Sequence, residues 1–144
     1  LDLAREVAGA YAHAAAPLAV ALGGSAATGV GDDASDIDLY VYAAEPIPLA
    51  VRRAVARRFS PDPEVGNDAW EPGDEWIDAG TGIHVDVMFR SPDWIADRID
   101  AVLVRHEASV GYSTALWHSV LRSVPLVDPG GWFGALRARA ARPY

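Results

Sequence analysis

Neither lysine nor cysteine occurs among the 144 residues, and all 12 basic side chains are arginine. Without lysine there is no phosphate-binding P-loop, whose pattern needs Gly-Lys-Ser/Thr, and no Schiff-base chemistry. Without cysteine there is neither a disulfide nor a thiolate metal site, which fits a cytoplasmic protein. No run approaches 18 consecutive apolar residues. The early apolar stretch at 7–22 is alanine-rich and has Glu6, His13 and Pro17 in or beside it, so it reads as neither membrane span nor signal peptide. Positive charge is scarce: 20 acidic residues against 12 basic give a net charge of −8. Tracking a nucleic-acid backbone draws on clustered positive charge, so nucleic acid is not the expected partner.

The chain is 51% hydrophobic over 144 residues, enough for one globular domain with its own core and too little for two. It starts at Leu1 and stops at Arg142-Pro143-Tyr144, just after an Ala/Arg-rich helical pattern. The expectation is a domain excised from a longer protein. Residues 1–110 form its core, and residues 111–144 form a helical C-terminal extension of the same domain that continues further.

Periodicity orders the elements. Residues 2–16 favour helix through their alanines, with Leu3, Val7, Ala10, Tyr11 and Ala14 on one face, until Pro17 stops them. Residues 18–22 read as a buried strand, 25–28 as one helical turn, 29–35 as a turn-rich loop and 37–43 as a second strand. After Pro46 and Pro48, residues 49–59 are helical, with Leu49, Val51, Ala54 and Val55 on an apolar face and Arg57-Arg58 on a basic one. Residues 60–74 are loop by composition. Segments 75–79 and 83–89 form a hairpin around Gly80-Thr81-Gly82. In the second of these strands Ile83, Val85, Val87 and Phe89 alternate with His84, Asp86 and Met88. Ser91-Pro92-Asp93 caps a helix that runs to about residue 107. Residues 112–121 read as a buried helix, 124–127 as a short apolar segment, 128–131 as a turn and 132–141 as a last helix. The order is α-β-α-β-α-β-β-α-α-α, an α/β (α+β) chain with a short mixed sheet flanked by helices.

The chemistry concentrates in residues 22–41, LGGSAATGVGDDASDIDLYV. Strand alternation puts Asp36 and Asp38 on one face and Ile37, Leu39 and Val41 on the other. Two carboxylates this close resist ionising together unless a cation lies between them. Mg²⁺ is the economical candidate, because it takes carboxylate oxygens together with substrate phosphates. Asp86, a carboxylate on an otherwise apolar strand, needs a partner of its own. If the two strands pair, Asp36, Asp38 and Asp86 meet, and three carboxylates can hold two divalent ions about 3.5–4 Å apart. The turn Gly23-Gly24-Ser25 offers backbone N–H groups and a hydroxyl to a phosphate chain, with no side chains to keep the anion away. Together these residues describe a metal–triphosphate site.

Gly24-Ser25, ten intervening residues, Asp36-Ile37-Asp38 and then the strand Val85-Asp86-Val87 resemble the signature of the DNA polymerase β-like nucleotidyltransferase superfamily, over residues 18–90. The C-terminal third is similar more loosely to small bacterial members. The resemblance implies a polymerase β-like fold and transfer of NMP from an NTP, ATP first, to an acceptor with pyrophosphate leaving. It implies that Asp36 and Asp38 hold both metals, two Mg²⁺ or in their place Mn²⁺, and that Asp86 holds the one activating the acceptor hydroxyl. Gly24 and Ser25 would bind the β- and γ-phosphates. The acidic balance favours a small molecule or a protein as acceptor. Antibiotic-modifying enzymes and antitoxin-like proteins with a partner protein both fit the size. The alternative is a nucleotide-binding regulatory or antitoxin-type module without turnover.

Other residues have plainer explanations. Asp32 and Asp33 suit a solvated turn. Arg52, Arg53, Arg57 and Arg58 are placed to reach a triphosphate, yet a solvated arginine face accounts for them better. His84 shares a face with Asp86 and reads as a half-exposed strand residue before it reads as a substrate contact. Trp70 and Trp76 suit packing better than base stacking, and Trp94, Trp117 and Trp132 suit core anchors. His118-Ser119 with Asp128 lacks the turn of a hydrolase nucleophile. His106-Glu107 lacks the second histidine of a zinc helix.

Overall fold

The computed structural model describes residues 2–23, 36–67, 72–103 and 119–141. The turn expected at 25–28, the loop at 29–35, Trp70, His106-Glu107, Trp117, His118 and the 110/111 boundary lie outside the described residues. The helices are α1 (Asp2–Ala15), α2 (Leu49–Arg57), α3 (Pro92–Leu103) and α4 (Trp132–Ala140), and residues 119–122 are helical as well. The strands are β1 (Ala19–Gly23), β2 (Ile37–Tyr42), β3 (Glu64–Asn67), β4 (Gly73–Ile77), β5 (His84–Arg90) and β6 (Val124–Val127).

The strands form one mixed six-stranded sheet in the order β3-β4-β5-β2-β1-β6. Only the central pair β2/β5 is parallel; each of the other neighbouring pairs is antiparallel. A mixed sheet with helices on its faces is the α+β architecture expected. Two strands exceed the expectation. β3 lies inside the stretch read as loop, and residues 124–127 pair with β1 to close one edge of the sheet. The sequence Glu-Val-Gly-Asn of β3 carries no apolar alternation, and Gly66 sits at φ 88 where the register slips between Val65 and Asn67. Such a bulged edge strand is stabilised by its neighbour rather than by local propensity.

The alternation of β1, β2 and β5 builds two cores. On one face Val20, Leu22, Ile37, Leu39, Val41, Val85 and Val87 meet Val7, Ala8 and Tyr11 of α1 and Val55 and Ala56 of α2. On the other, Ala19, Ala21 and Tyr42 meet Ile95 and Ile99 of α3 and Phe133, Leu136 and Ala140 of α4. Of the face expected on α1, Val7, Ala10 and Tyr11 are buried and Ala14 is exposed. Ala16, at φ 46, ends that helix by donating its N–H to the Ala12 carbonyl, and Pro17 prevents continuation. The cap at Ser91 acts as expected, its Oγ accepting the Trp94 N–H at 3.3 Å, and the Asp128 carboxylate, read only as part of a turn, accepts the N–H groups of Phe133 and Gly134, each at 2.9 Å.

The arginine face on α2 needs correction. The buried residues of this helix are Arg52, Val55 and Ala56, while Leu49 is exposed. Arg52 is neither solvated nor reaching for a ligand. Its Nε and Nη2 donate to the Asp74 carboxylate at 3.0 and 2.6 Å, Nη2 also reaches the Gly73 carbonyl, and the guanidinium lies 4.3 Å from the Phe89 ring centroid. Asp74 also accepts the Gly66 N–H at 2.9 Å, so one buried ion pair joins α2, β3 and β4. Arg53, Arg57 and Arg58 are exposed, as expected. Among the described residues, no helix is long and apolar enough to cross a membrane.

Candidate functional site

The central parallel pair sets the site. In the β2/β5 register Asp38 lies directly opposite Asp86, and Ile37 and Leu39 opposite Val85 and Val87. Paired residues point to the same face, so burying the aliphatic side chains in the α1/α2 core obliges both aspartates to the opposite face. Adjacent strands are about 4.8 Å apart, which brings the two carboxylates into one neighbourhood. Gly23, the last residue of β1, flanks Asp38 on its other side. A Cβ at Gly23 would lie 2.4 Å from Cε2 of Tyr40, so the tyrosine ring occupies the space a side chain would need. Gly24 and Ser25 lie outside the described residues.

The row continues outward with two acids that strand patterns alone did not single out. Glu75 of β4 pairs with Asp86, and Glu64 of β3 pairs with Glu75. Gly23, Asp38, Asp86, Glu75 and Glu64 therefore form one line across five strands. Glu75 had a legible signal: a hairpin centred between Gly80 and Thr81 places it opposite Asp86. Glu64 had none, because its strand was not expected.

The charges in this row are poorly compensated. Burial, then the Asp36 charge, pushes the Asp38 carboxyl above the usual carboxylate range, with His84 opposing the shift. Asp86 is pushed up by burial first, then by the charges of Asp38 and Glu75. Glu64 is pushed up by its hydrogen bond and charge interaction with Glu75. His84 sits among them, with Nε2 3.2 Å from Glu75 Oε2 and Nδ1 3.9 Å from Asp36 Oδ2. Asp36 precedes the first paired residue of β2 and keeps 70% of its side chain exposed.

Hard oxygen donors that repel one another are the chemistry a divalent cation satisfies. Among the described residues, no three acidic or imidazole groups are gathered to grip one ion as they stand. Carboxylates placed like these could supply part of a cation's shell and leave its remaining positions to water or other oxygens. Trp76 is buried and stacked on Phe59, with ring planes 14° apart, so it belongs to the core. A cavity of about 610 Å³ opens at the other end of β2 and β5, lined among others by Ala43, Pro46, Leu49, Phe89 and Arg90; it is separate from the acid row.

Comparison with known proteins brings one finding. The family model described as "Nucleotidyltransferase domain" matches residues 5–108, a span that includes β1, β2, β5 and the whole acid row. Comparison with curated proteins gives no match.

Proposed function

Because the chain belongs to the nucleotidyltransferase domain family, we propose that it transfers NMP from an NTP, ATP first, to a hydroxyl of a small molecule or protein. The observation that carries this reading is the direct pairing of Asp38 with Asp86 on the central parallel strands, both half-buried and both resisting ionisation. Asp36, Asp38 and Asp86 would hold the metal ions, and Gly23, Gly24 and Ser25 would receive the triphosphate. When bound, two Mg²⁺ ions, or Mn²⁺ in their place, would neutralise the phosphates and favour loss of the acceptor proton.

The protein's own part is placement. An acceptor oxygen forms a bond to the α-phosphorus, the bond from that phosphorus to the bridging oxygen breaks in line, and pyrophosphate carries away the electron pair. Asp38 and Asp86, fixed by strand pairing and backed by a dry aliphatic face, would offer their oxygens to cations at a defined spot without reorganising, and such preorganised placement of positive charge is how these sites lower the barrier. Glycine at 23 keeps the flank of Asp38 clear. The net charge of −8 speaks for an acceptor other than nucleic acid. A cytoplasmic setting, where NTP and Mg²⁺ are abundant, suits this chemistry.

The test is incubation with Mg²⁺ and each α-labelled NTP, reading pyrophosphate release and label transfer to cell-extract acceptors. Wild-type chain should label an acceptor and Asp38→Asn should not. Binding of NTP without any labelled product would favour a regulatory module instead, and full activity in Asp38→Asn would sink the metal assignment.

A further inference from the structure

Asp38 and Asp86 are aimed by strand pairing, but Asp36 is not. It stands one residue ahead of the β2 ladder, so no cross-strand register orients its mostly exposed side chain. A carboxylate there samples several rotamers in water, and only some put its oxygens beside the aspartate pair. The side chain that faces it is His84. One ring nitrogen, Nδ1, lies 3.9 Å from Asp36 Oδ2, an ion-pair separation rather than a hydrogen bond. The other, Nε2, lies 3.2 Å from Glu75 Oε2. Glu75 is held in its turn by the β4/β5 register, opposite Asp86. The imidazole is thus anchored on its far side and presented to Asp36 on its near side. Rotating it away from Asp36 would break its bond to Glu75.

Resting on the metal–triphosphate reading above, we propose that Glu75 and His84 are positioning residues, the imidazole anchored by Glu75 keeping the Asp36 carboxylate beside Asp38 and Asp86. Neither touches the reacting atoms. Their effect on metal binding comes through the placement of Asp36 rather than through the reacting atoms, which makes it measurable without turnover. Outer partners that orient a metal ligand typically matter by about 10–100-fold in affinity. The exposure of Asp36 puts the expected effect near the lower end of that range.

The experiment measures Mn²⁺ binding to the nucleotide-free chain by electron paramagnetic resonance. One buffer serves wild type and all variants, so that each affinity is read under the same conditions. His84→Ala and Glu75→Ala should each weaken Mn²⁺ roughly tenfold, with thermal midpoints close to wild type. The double variant should be no weaker than either single one, because both act along one chain of contacts. His84→Gln, whose amide nitrogen can still donate to a facing carboxylate, should recover part of the affinity.

His84→Ala binding Mn²⁺ as tightly as wild type, or more tightly, overturns the proposal; the second result would make the ring a competitor for Asp36. Additive losses in the double variant overturn it too, as does a loss that His84→Gln fails to rescue. Asp38→Asn separates the two levels of the argument. If that variant binds Mn²⁺ like wild type, the metal reading itself fails; if it loses Mn²⁺ while His84→Ala does not, only the positioning role falls.

Discussion

Asp38 illustrates a residue kept where the fold would be better off without its charge. Its carboxyl is pushed up in the folded chain by burial and by Asp36, so the folded state binds a proton more tightly than the unfolded one. Below the ordinary aspartate value of about 3.9 the group is neutral in both states and carries no penalty. As pH rises through the elevated folded value the charge appears and stability is lost, and the loss persists at neutral pH. Asp38→Asn should therefore stabilise the metal-free chain at pH 7, by roughly 0.5 kcal/mol once solvent screening of a half-exposed group is allowed for. The gain should shrink towards zero as pH approaches 4. Thermal melts of both proteins across that range check the sign; a gain that grows on acidification contradicts it. Gly23 gives the opposite case, a proposed phosphate-binding residue that the fold also requires. Gly23→Ala sets a methyl against the Tyr40 ring, which already has the Arg90 guanidinium 4.0 Å from its centroid. The ring must move, and overpacking of this kind costs about 1–3 kcal/mol. Denaturant unfolding should register that loss whether or not Gly23 also binds phosphate. Asp38 and Asp86 were legible because alternation alone assigns them a face, whereas Asp36, one residue ahead of the ladder, escapes that rule. His84 was legible only as a neighbour, since its two carboxylate contacts depend on where β4 and the residue before β2 come to lie.

At the level of elements, the buried Arg52–Asp74 pair explains why one stretch could not be read. Residues 60–74 look like loop because their strand, β3, has neither β-branched runs nor alternation. What supports it is a carboxylate on β4 that accepts the Gly66 N–H and two bonds from an arginine on α2. Arg52 in turn looked like surface because the partner that buries it lay in the unread segment. The two errors are one, and neither could be mended by propensity. Arg52→Ala leaves the Asp74 carboxylate buried and unpaired, and Asp74→Ala strands the guanidinium; each should cost about 3–5 kcal/mol. Replacing both with apolar residues of similar volume should cost much less, because no charge is then left alone in the core. Chemical denaturation of the four proteins tests this. Single variants within about 0.5 kcal/mol of wild type would mean that water reaches the pair. The described helices, by contrast, were legible, and so was the cap at Ser91, since capping is written within a few residues; the bonds from Asp128 to the last helix were not. The hairpin of β4 and β5 was legible too, its turn built by Gly82 at φ 76 and by Thr81 bonding back to Asp78.

At the scale of the whole molecule, the acid row exists only when the sheet is complete. Asp38 and Asp86 come from strands far apart in sequence, and they meet because β2 and β5 pair in parallel at the centre of the sheet with helices packed on both sides. The unfolded chain has no such site, so a ligand that uses it binds the folded state alone and must raise its stability. At a concentration about 100 times its dissociation constant, Mg²⁺ with a non-hydrolysable ATP analogue should add about 2.7 kcal/mol. For a chain of this length that corresponds to a rise in melting temperature of about 5–10 °C. Either component alone should give less, because the carboxylates and the triphosphate repel each other until the cation joins them. Asp86→Asn and Asp38→Asn should each forfeit most of the shift, even though removing a crowded negative charge makes the unliganded chain no less stable. Those opposite signs, a fold that tolerates the substitution and a ligand that does not, distinguish a binding site from a structural carboxylate. If the analogue and Mg²⁺ raise the melting point of Asp86→Asn as much as that of wild type, the carboxylates at the centre of the sheet are not where the triphosphate is held.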